Sequence, residues 1–282
     1  MRAAGLLRFY IHMKNFSRLA SRLAVFSLLA ATSACQSGCA YVRYFTPLNP
    51  SSKNAAPADH AVWDGLLKKY VDAQGMVNYQ GFRQDSTTLN TYLKTLSDHL
   101  PADKWTPDER LAYWLNAYNA FTIQRVIRAY PVKSIKDLGG DKTLVNTVWD
   151  QKFINLDGDK LTLNDIEQRI IRKKFDDNRI HFALVCAAMS CPRLRNEAYV
   201  GSRLNAQLED QANGFVNNPQ KNQLTPPDQP KVSAIFNFYP GDFKKNGSTS
   251  VQELINRYAT QKIKPDAQLG FLEYNWALNE QK

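Results

Sequence analysis

The sequence predicts an α+β protein, with a single domain in which a mixed β-sheet packs around a buried central helix and the N-terminal part is helical. Three observations support this class. The segment from Leu111 to Ile127 is apolar on nearly every side, as expected for a buried helix. Amphipathic helical patterns precede it, and the alternating and continuous apolar runs typical of strands follow it.

The composition is that of a globular protein. Of 282 residues, 44% are apolar and 22% are charged, which excludes a disordered chain. If the first 59 residues form a leader and a tether, residues 60–282 are enough for one domain with a full core.

The net charge of +10 does not indicate nucleic-acid binding. Five cations lie in the first 34 residues, where there is no acid, and without them the net charge is +5. The other lysines and arginines are mixed with acids and form no stripe with interleaved aromatic residues, so we expect no nucleic-acid partner. A mildly basic surface facing an anionic membrane explains the charge more simply.

The N-terminus resembles a secretion signal over residues 1–34. The apolar run from Leu23 to Ala34 follows a basic stretch and has twelve residues. That is too few to span a bilayer, which takes about 20, but it suits a signal peptide. Met13 is a possible true start, because the residues after it form a compact basic leader.

Small residues before Cys35 resemble a lipoprotein processing site, although Thr32 stands where that motif prefers leucine. Lipidation of Cys35 would anchor the protein to a membrane through its acyl chains. Residues 35–59, rich in Ser, Pro, Asn and Ala, would then form a flexible tether. The predicted location is the periplasm or cell envelope, as an outer-membrane lipoprotein. Ordinary cleavage near Ala34 or Ala40 would instead give a secreted protein, and an uncleaved leader would remain as a membrane anchor. Gly38-Cys39 is a second, poorer candidate for the lipoprotein processing site.

The predicted helices lead up to the central one. Apolar spacing indicates helices over Ala61–Val71 and Thr87–Leu96. Thr106 and Glu109 form a capping-box pattern around a proline, which marks the start of the central helix. Within that helix Asn116 and Asn119 share a face. A buried amide without partners is costly, so both side chains must bind something specific.

Later segments supply the predicted sheet. Alternation around Asp157-Gly158 predicts a hairpin over Lys152–Leu163, and Asn164 with Glu167 is expected to cap the next helix. Strands are predicted at Arg179–Cys186, Val232–Tyr239 and Leu269–Leu278. Helices are expected to begin near Ser202 and Ser250. Cys191, which precedes a proline, is expected at or near another helix start.

Several strings together resemble domain-of-unknown-function family 547 over residues 60 to 280. They are WLNAYNAFTI (114–123), YPVKSIKD (130–137), LTLNDIEQRIIR (161–172), RIHFALVCAAMSCPRLRNEAY (179–199) and FLEYNWALN (271–279). The resemblance implies no established activity. Many bacterial members of the family carry signal peptides, and some plant relatives fuse the domain to a glutaredoxin-like module, which hints at thiol chemistry. The matching motif positions are Asn116, Tyr118, Asn119, His181, Cys186, Ser190, Cys191 and Pro192.

Cys186 and Cys191 leave three alternatives open. Their spacing allows a disulfide, which an oxidising envelope favours. They could also be two buried free thiols. In the third alternative Cys191 is reactive, because a helix N-terminus would favour its thiolate. A disulfide between the two would abolish a nucleophile at Cys191.

His181 is the only histidine in the motif-rich region, and it precedes the cysteine loop. Cys191 as nucleophile, His181 as base and Asn116 or Asn119 as orienting amide would make a papain-like or transglutaminase-like site. We therefore predict that these residues converge on a cleft. The alternative is a core histidine bonded to a neighbouring carbonyl.

Other ligand patterns are weak. One histidine and two cysteines match no zinc pattern, Asp157-Gly-Asp159 reads as a hairpin turn, and no nucleotide-binding loop is present, so neither a metal nor a cofactor is predicted. Aromatic residues are expected mainly in the core, but several at the rim of one cleft would suit a glycan or peptide. They are Trp114, Tyr118, Trp149, Phe236, Tyr239 and Trp276.

Two functions follow from these patterns, and the sequence does not decide whether the protein is an enzyme. The first is a non-enzymatic envelope domain that binds a peptide, glycan or protein partner, with Cys186 and Cys191 as a structural pair. The alternative is a thiol-dependent hydrolase or transferase acting on amide or thioester bonds in the envelope. Substrate, partner and oligomeric state are not predicted.

Overall fold

The computed structural model of the protein describes residues 56–139 and 147–282. The predicted signal peptide, the predicted lipidation site at Cys35 and most of the predicted tether lie outside the described residues. Within those two ranges, no helix combines the length and the apolar character needed to cross a membrane.

Helices are the main regular structure of the described chain: four precede the first strand, and the others lie between the strands. In chain order they are α1 (Ala61–Tyr70), α2 (Tyr79–Gln84), α3 (Ser86–Asp98), α4 (Pro107–Ile127), α5 (Arg172–Lys174), α6 (Ile180–Ala183), α7 (Leu204–Val216), α8 (Ile235–Phe238) and α9 (Val251–Tyr258). A π-helical segment, Asp165–Ile171, runs directly into α5.

The strands form two separate two-stranded sheets. β1 (Ile154–Leu156) pairs antiparallel with β2 (Asp159–Leu161), and β3 (Lys231–Val232) pairs parallel with β4 (Gly270–Phe271). The α+β class is confirmed. The strand content of the described residues is smaller than the single mixed sheet that the sequence predicts.

The central helix α4 forms as predicted. The Thr106 side chain accepts a hydrogen bond from the Glu109 N–H, and the Glu109 carboxylate accepts one from the Thr106 N–H, which satisfies two donors at the helix start. Almost every side chain from Leu111 to Ile127 is buried. α4 packs against α2, α3 and the π-helical segment, and it therefore forms the centre of the larger apolar core.

Two predicted strands are wrong. In the predicted strand Arg179–Cys186, residues Ile180–Ala183 form the short helix α6, and in the predicted strand Val232–Tyr239, Ile235–Phe238 form α8. A short continuous apolar run is equally compatible with a buried strand and a buried helical turn, and periodicity alone does not separate them. Of the predicted last strand, β4 and isolated bridges at Ala277 and Leu278 are present.

The hairpin is confirmed. Asp157 and Gly158 both have positive φ, 49° and 86°, as a tight two-residue turn requires. The following helical segment is capped by Thr162 and Asp165 instead of the predicted Asn164 and Glu167. The Thr162 N–H donates to the Asp165 carboxylate, and the Asp165 N–H donates to the Thr162 hydroxyl. Glu167 is consequently not used as a capping residue and lies in a cavity wall.

The short helix α6 lies between two apolar clusters. Ile180 and Ala183 pack into the larger cluster around α4, whereas Phe182 packs into a second cluster formed with α7, α8 and α9. Phe182 contacts Phe215 and Phe243 at ring-centroid distances of 5.3 and 5.6 Å. These contacts on both sides fix α6 and therefore the position of His181 within it.

Candidate functional site

A cavity of about 220 Å³ opens where α4, the π-helical segment, α6, α8 and the C-terminal segment meet. Its walls combine aromatic rings with one carboxylate, one imidazole and two cysteines. The lining residues are Tyr118, Thr147, Trp149, Asn164, Glu167, His181, Leu184, Cys186, Cys191, Pro192, Ile235, Phe238, Tyr239, Tyr274 and Trp276. Concave sites that are largely apolar and carry a few polar groups are typical of small-ligand pockets.

His181 is held by a buried carboxylate. Its Nε2 lies 2.8 Å from Asp242 Oδ2, and both residues are buried. Asp242 also pairs with Arg172 and, at 3.1 Å, with Lys245. Burial alone would raise the pKa of the Asp242 carboxyl, but the hydrogen bonds from His181 and Arg172 outweigh it and hold that pKa well below its usual value.

The His181 ring also stacks on an aromatic wall. The centroids of the His181 and Tyr239 rings are 3.8 Å apart with an interplanar angle of 17°. The Arg172 guanidinium lies 5.1 Å from the Tyr239 centroid. Asp242 at one edge and Tyr239 against one face together fix the plane of the imidazole, so the ring is a preorganised group in the cavity wall.

Glu167 places a negative charge among tyrosines. The negative charge of this carboxylate raises the pKa of the Tyr239 phenol, and its effect is larger than that of burial. Burial and then the same carboxylate raise the pKa of Tyr118 and of Tyr274. The phenols therefore stay protonated. Tyr118 and Tyr239 hydrogen-bond to this carboxylate, whereas the Tyr274 hydroxyl contacts the cysteine sulfurs.

Cys186 and Cys191 also lie in the cavity wall. Their sulfur atoms are within disulfide-bonding distance, and their Cα atoms are 6.2 Å apart. The Tyr274 hydroxyl is 3.2 Å from Cys186 Sγ and 3.3 Å from Cys191 Sγ. In this oxidised arrangement neither cysteine is a free nucleophile.

The expectation of a helix start at Cys191 is wrong. The chain from Pro192 to Arg195 is irregular, and the next helical turn begins only at Gly201. The expected stabilisation of a Cys191 thiolate by a helix N-terminus therefore has no basis in the described chain. The loop containing the two cysteines is instead held by the C-terminal segment, since the N–H groups of Met189 and Ser190 donate to the carbonyls of residues 277 and 275.

The two predicted asparagines bind the backbone. Asn116 donates to the Tyr199 carbonyl at 2.8 Å and accepts from the Tyr199 N–H at 3.0 Å. Asn119 donates to the Ala183 carbonyl and accepts from the Val185 N–H, both at 3.0 Å. Neither orients His181, whose partner is Asp242. Asn119 instead fixes the chain between His181 and Cys186.

The aromatic candidates divide between core and cavity. Trp114 and Phe236 are buried in the core, whereas the other four predicted aromatics line the cavity, as do Phe238 and Tyr274, which the sequence analysis did not select. Glu167 and Asp242 are site residues that the sequence patterns do not indicate. For Asp242 the available signal is a lone acid between aromatic residues, whereas Glu167 follows Asp165 by two residues and carries no comparable signal.

Among residues 56–139 and 147–282, no group of three or more His, Cys, Asp or Glu side chains is arranged to hold a metal ion. Asp157 and Asp159 belong to the hairpin and lie outside the cavity.

The fold and site define a class: a single α+β domain with a cavity lined by aromatic rings, a carboxylate and a cysteine pair. Residues 102–216 match the family model described as "Protein of unknown function, DUF547". The resemblance stated from the motifs is thus supported over that segment, which contains α4, Glu167, His181 and both cysteines. Searches of curated proteins and of solved structures found no match.

Proposed function

We propose that the protein is a ligand-binding domain of the cell envelope, and that the cavity holds one sugar ring of an envelope glycan. The observation that carries this proposal is the composition of the cavity wall: flat aromatic faces surround a single carboxylate. Sugar rings combine C–H faces, which pack on aromatic rings, with hydroxyls at their edges, which need hydrogen-bond acceptors.

The aromatic surface is continuous along one side of the cavity. Tyr274 and Trp276 have ring centroids 4.5 Å apart, and Trp149 lies 5.7 Å from Trp276. Phe238, 47% exposed, lies 5.6 Å from Tyr274 and extends this surface towards solvent. A ring entering the cavity would therefore pack against several faces at once.

The polar groups suit a hydroxylated ligand. Glu167 can accept a hydrogen bond from a ligand hydroxyl. The phenol oxygens of Tyr239 and Tyr274, whose hydrogens are directed to Glu167 and to the cysteine sulfurs, can accept from further hydroxyls. The fixed imidazole of His181 supplies a further oriented polar group. The cysteine pair acts in this proposal as part of a rigid wall.

Titration calorimetry with N-acetylglucosamine oligomers tests the binding. We expect saturable binding to the wild-type protein, and at least a tenfold loss of affinity, about 1.4 kcal/mol, for Trp276→Ala and for Glu167→Gln. Phe271→Ala is the matched control, since this ring is 44% exposed and lies outside the cavity. The proposal is wrong if no oligomer binds, if Trp276→Ala binds as the wild type does, or if oligopeptides bind more tightly.

The leader pattern supports an exported, membrane-anchored protein, and we propose acylation at Cys35. Labelling of expressing cells with a radioactive fatty acid is expected to mark the protein. Cys35→Ala should remove the label, while the control Cys39→Ala should keep it. Recovery of an unprocessed full-length chain from the soluble cell interior would contradict this prediction.

The thiol-dependent enzyme remains the second candidate, because His181 and Cys191 line the same cavity. It requires a reduced cysteine pair, with Cys191 attacking an amide or thioester carbonyl, His181 as base, and Asp242 in the orienting role predicted for an asparagine. Mass mapping that finds a stable disulfide favours the binding function. Rapid alkylation of Cys191 alone, lost on replacing His181, favours the enzyme.

A further inference from the structure

The cysteine pair lies between two cavities. Cys191 and Pro192 line the cavity already described and also a second one of about 380 Å³ on the side of α7. Cys186 lines only the first cavity and is the more exposed of the pair, whereas Cys191 is 3% exposed. A reagent in the first cavity therefore meets Cys186 more readily.

Hydrogen-bond donors surround the buried sulfur. The Cys186 N–H donates to Cys191 Sγ at 3.0 Å, and the Tyr274 hydroxyl lies 3.3 Å from the same sulfur. Since a disulfide sulfur has no hydrogen to donate, the phenol is the donor in this contact. Such bonds are weak to a neutral sulfur and become considerably stronger when that sulfur carries a negative charge.

From this asymmetry we propose that the Cys186–Cys191 disulfide is a thiol-exchange site for a small thiol, with Cys186 as the attacked sulfur and Cys191 as the leaving group. The proposal does not rest on glycan binding. Tyr274 and Glu167 face both processes, but the position of attack is read from the two cysteines alone, so either proposal can fail without the other.

The exchange balances in two steps. The thiolate of the small thiol attacks Cys186 Sγ, the Cys186–Cys191 bond breaks, and its electron pair leaves as the Cys191 thiolate, giving a mixed disulfide on Cys186. A second thiolate then attacks the outer sulfur and releases the Cys186 thiolate and the oxidised small disulfide. The protein gains two electrons, and solvent supplies the protons for its thiols.

The leaving group controls the first step. A thiol leaves faster when its thiolate is more stable, and both donors stabilise the Cys191 thiolate. Burial, with Glu167 adding to it, raises the pKa of Tyr274, so the phenol keeps its proton across the physiological range. Glu167 acts in the opposite direction, because its negative charge in the same cavity disfavours a thiolate; His181 also faces this space.

The test begins with the oxidised wild-type protein and excess L-cysteine under native conditions, followed by acid quenching, alkylation and peptide mapping. We expect the trapped mixed disulfide on Cys186 and the alkyl group on Cys191. A mixed disulfide on Cys191, or reduction only at urea concentrations that unfold the protein, overturns the proposal. This result needs no variant.

Variants then test the donors. Tyr274→Phe is expected to slow the first exchange by about threefold or more, because loss of one donor makes the Cys191 thiolate a poorer leaving group. Glu167→Gln is expected to speed it. Tyr70→Phe, which removes a hydroxyl bonded to Asp85 elsewhere, is the matched control and should leave the rate unchanged. An unchanged rate in a folded Tyr274→Phe protein contradicts the proposal.

Discussion

Replacing Asp242 with alanine is expected to lower the free energy of unfolding by about 3 kcal/mol, because it leaves His181 and two cations without their shared buried partner. Asp242→Asn should cost less, since the amide oxygen can still accept a hydrogen bond. Urea denaturation at pH 7, followed by circular dichroism, measures both variants. Equal stability of the alanine variant and the wild type would contradict the role given to this carboxylate.

The same carboxylate gives a pH dependence. Its pKa in the folded protein lies below the ordinary value of 3.8. Its ionised form therefore stabilises the folded state at a pH above that value, and this stabilisation is lost as the pH falls through and below it. The wild type should lose its stability advantage over Asp242→Ala as the pH is lowered from 5 towards 2. A constant difference over that range would be inconsistent with the lowered pKa.

Asn119→Ala is expected to destabilise the protein by about 2–5 kcal/mol. The substitution leaves the Ala183 carbonyl and the Val185 N–H without their partner in a buried region. Asn155→Ala, on the exposed face of β1, is the matched control and should lie within about 0.5 kcal/mol of the wild type.

Thermal and urea denaturation measure both asparagine variants. Asn119 fixes the chain between His181 and Cys186. If the Asn119→Ala variant folds and loses less free energy of unfolding than expected, the lost clamp should still appear as faster amide exchange at residues 183–186. Wild-type stability together with unchanged exchange would show that the clamp contributes nothing.

Local signals explain what could be predicted from the sequence. The cap at Thr106 and Glu109, the all-apolar α4 and the turn at Asp157-Gly158 depend on residues within a few positions of one another. His181 and Cys191 were selected as functional candidates from the same kind of local pattern, and the structure places both in one cavity wall.

The remainder of the site depends on long-range contacts. Asp242 reaches His181 across 61 residues, and Tyr274 reaches Cys191 across 83. No spacing rule connects such distant pairs. The sequence patterns therefore indicate Asn116 or Asn119, not Asp242, as the group that orients His181. Helix α6 has the sequence pattern of a buried strand, because its surroundings bury it on all sides and the polar residues that would reveal a helical period are absent.

The segment matched by the family model ends at residue 216, whereas residues that line the cavity continue to Trp276. Tyr239, Asp242, Tyr274 and Trp276 all lie beyond that boundary. A fragment limited to the matched residues would keep His181, Glu167 and both cysteines. It would lose the cavity wall formed by residues 235–276, and it would expose Phe182, whose apolar cluster lies largely in that part of the chain. The segment that retains the complete cavity and both apolar clusters is therefore the whole span from α1 to the C-terminal segment.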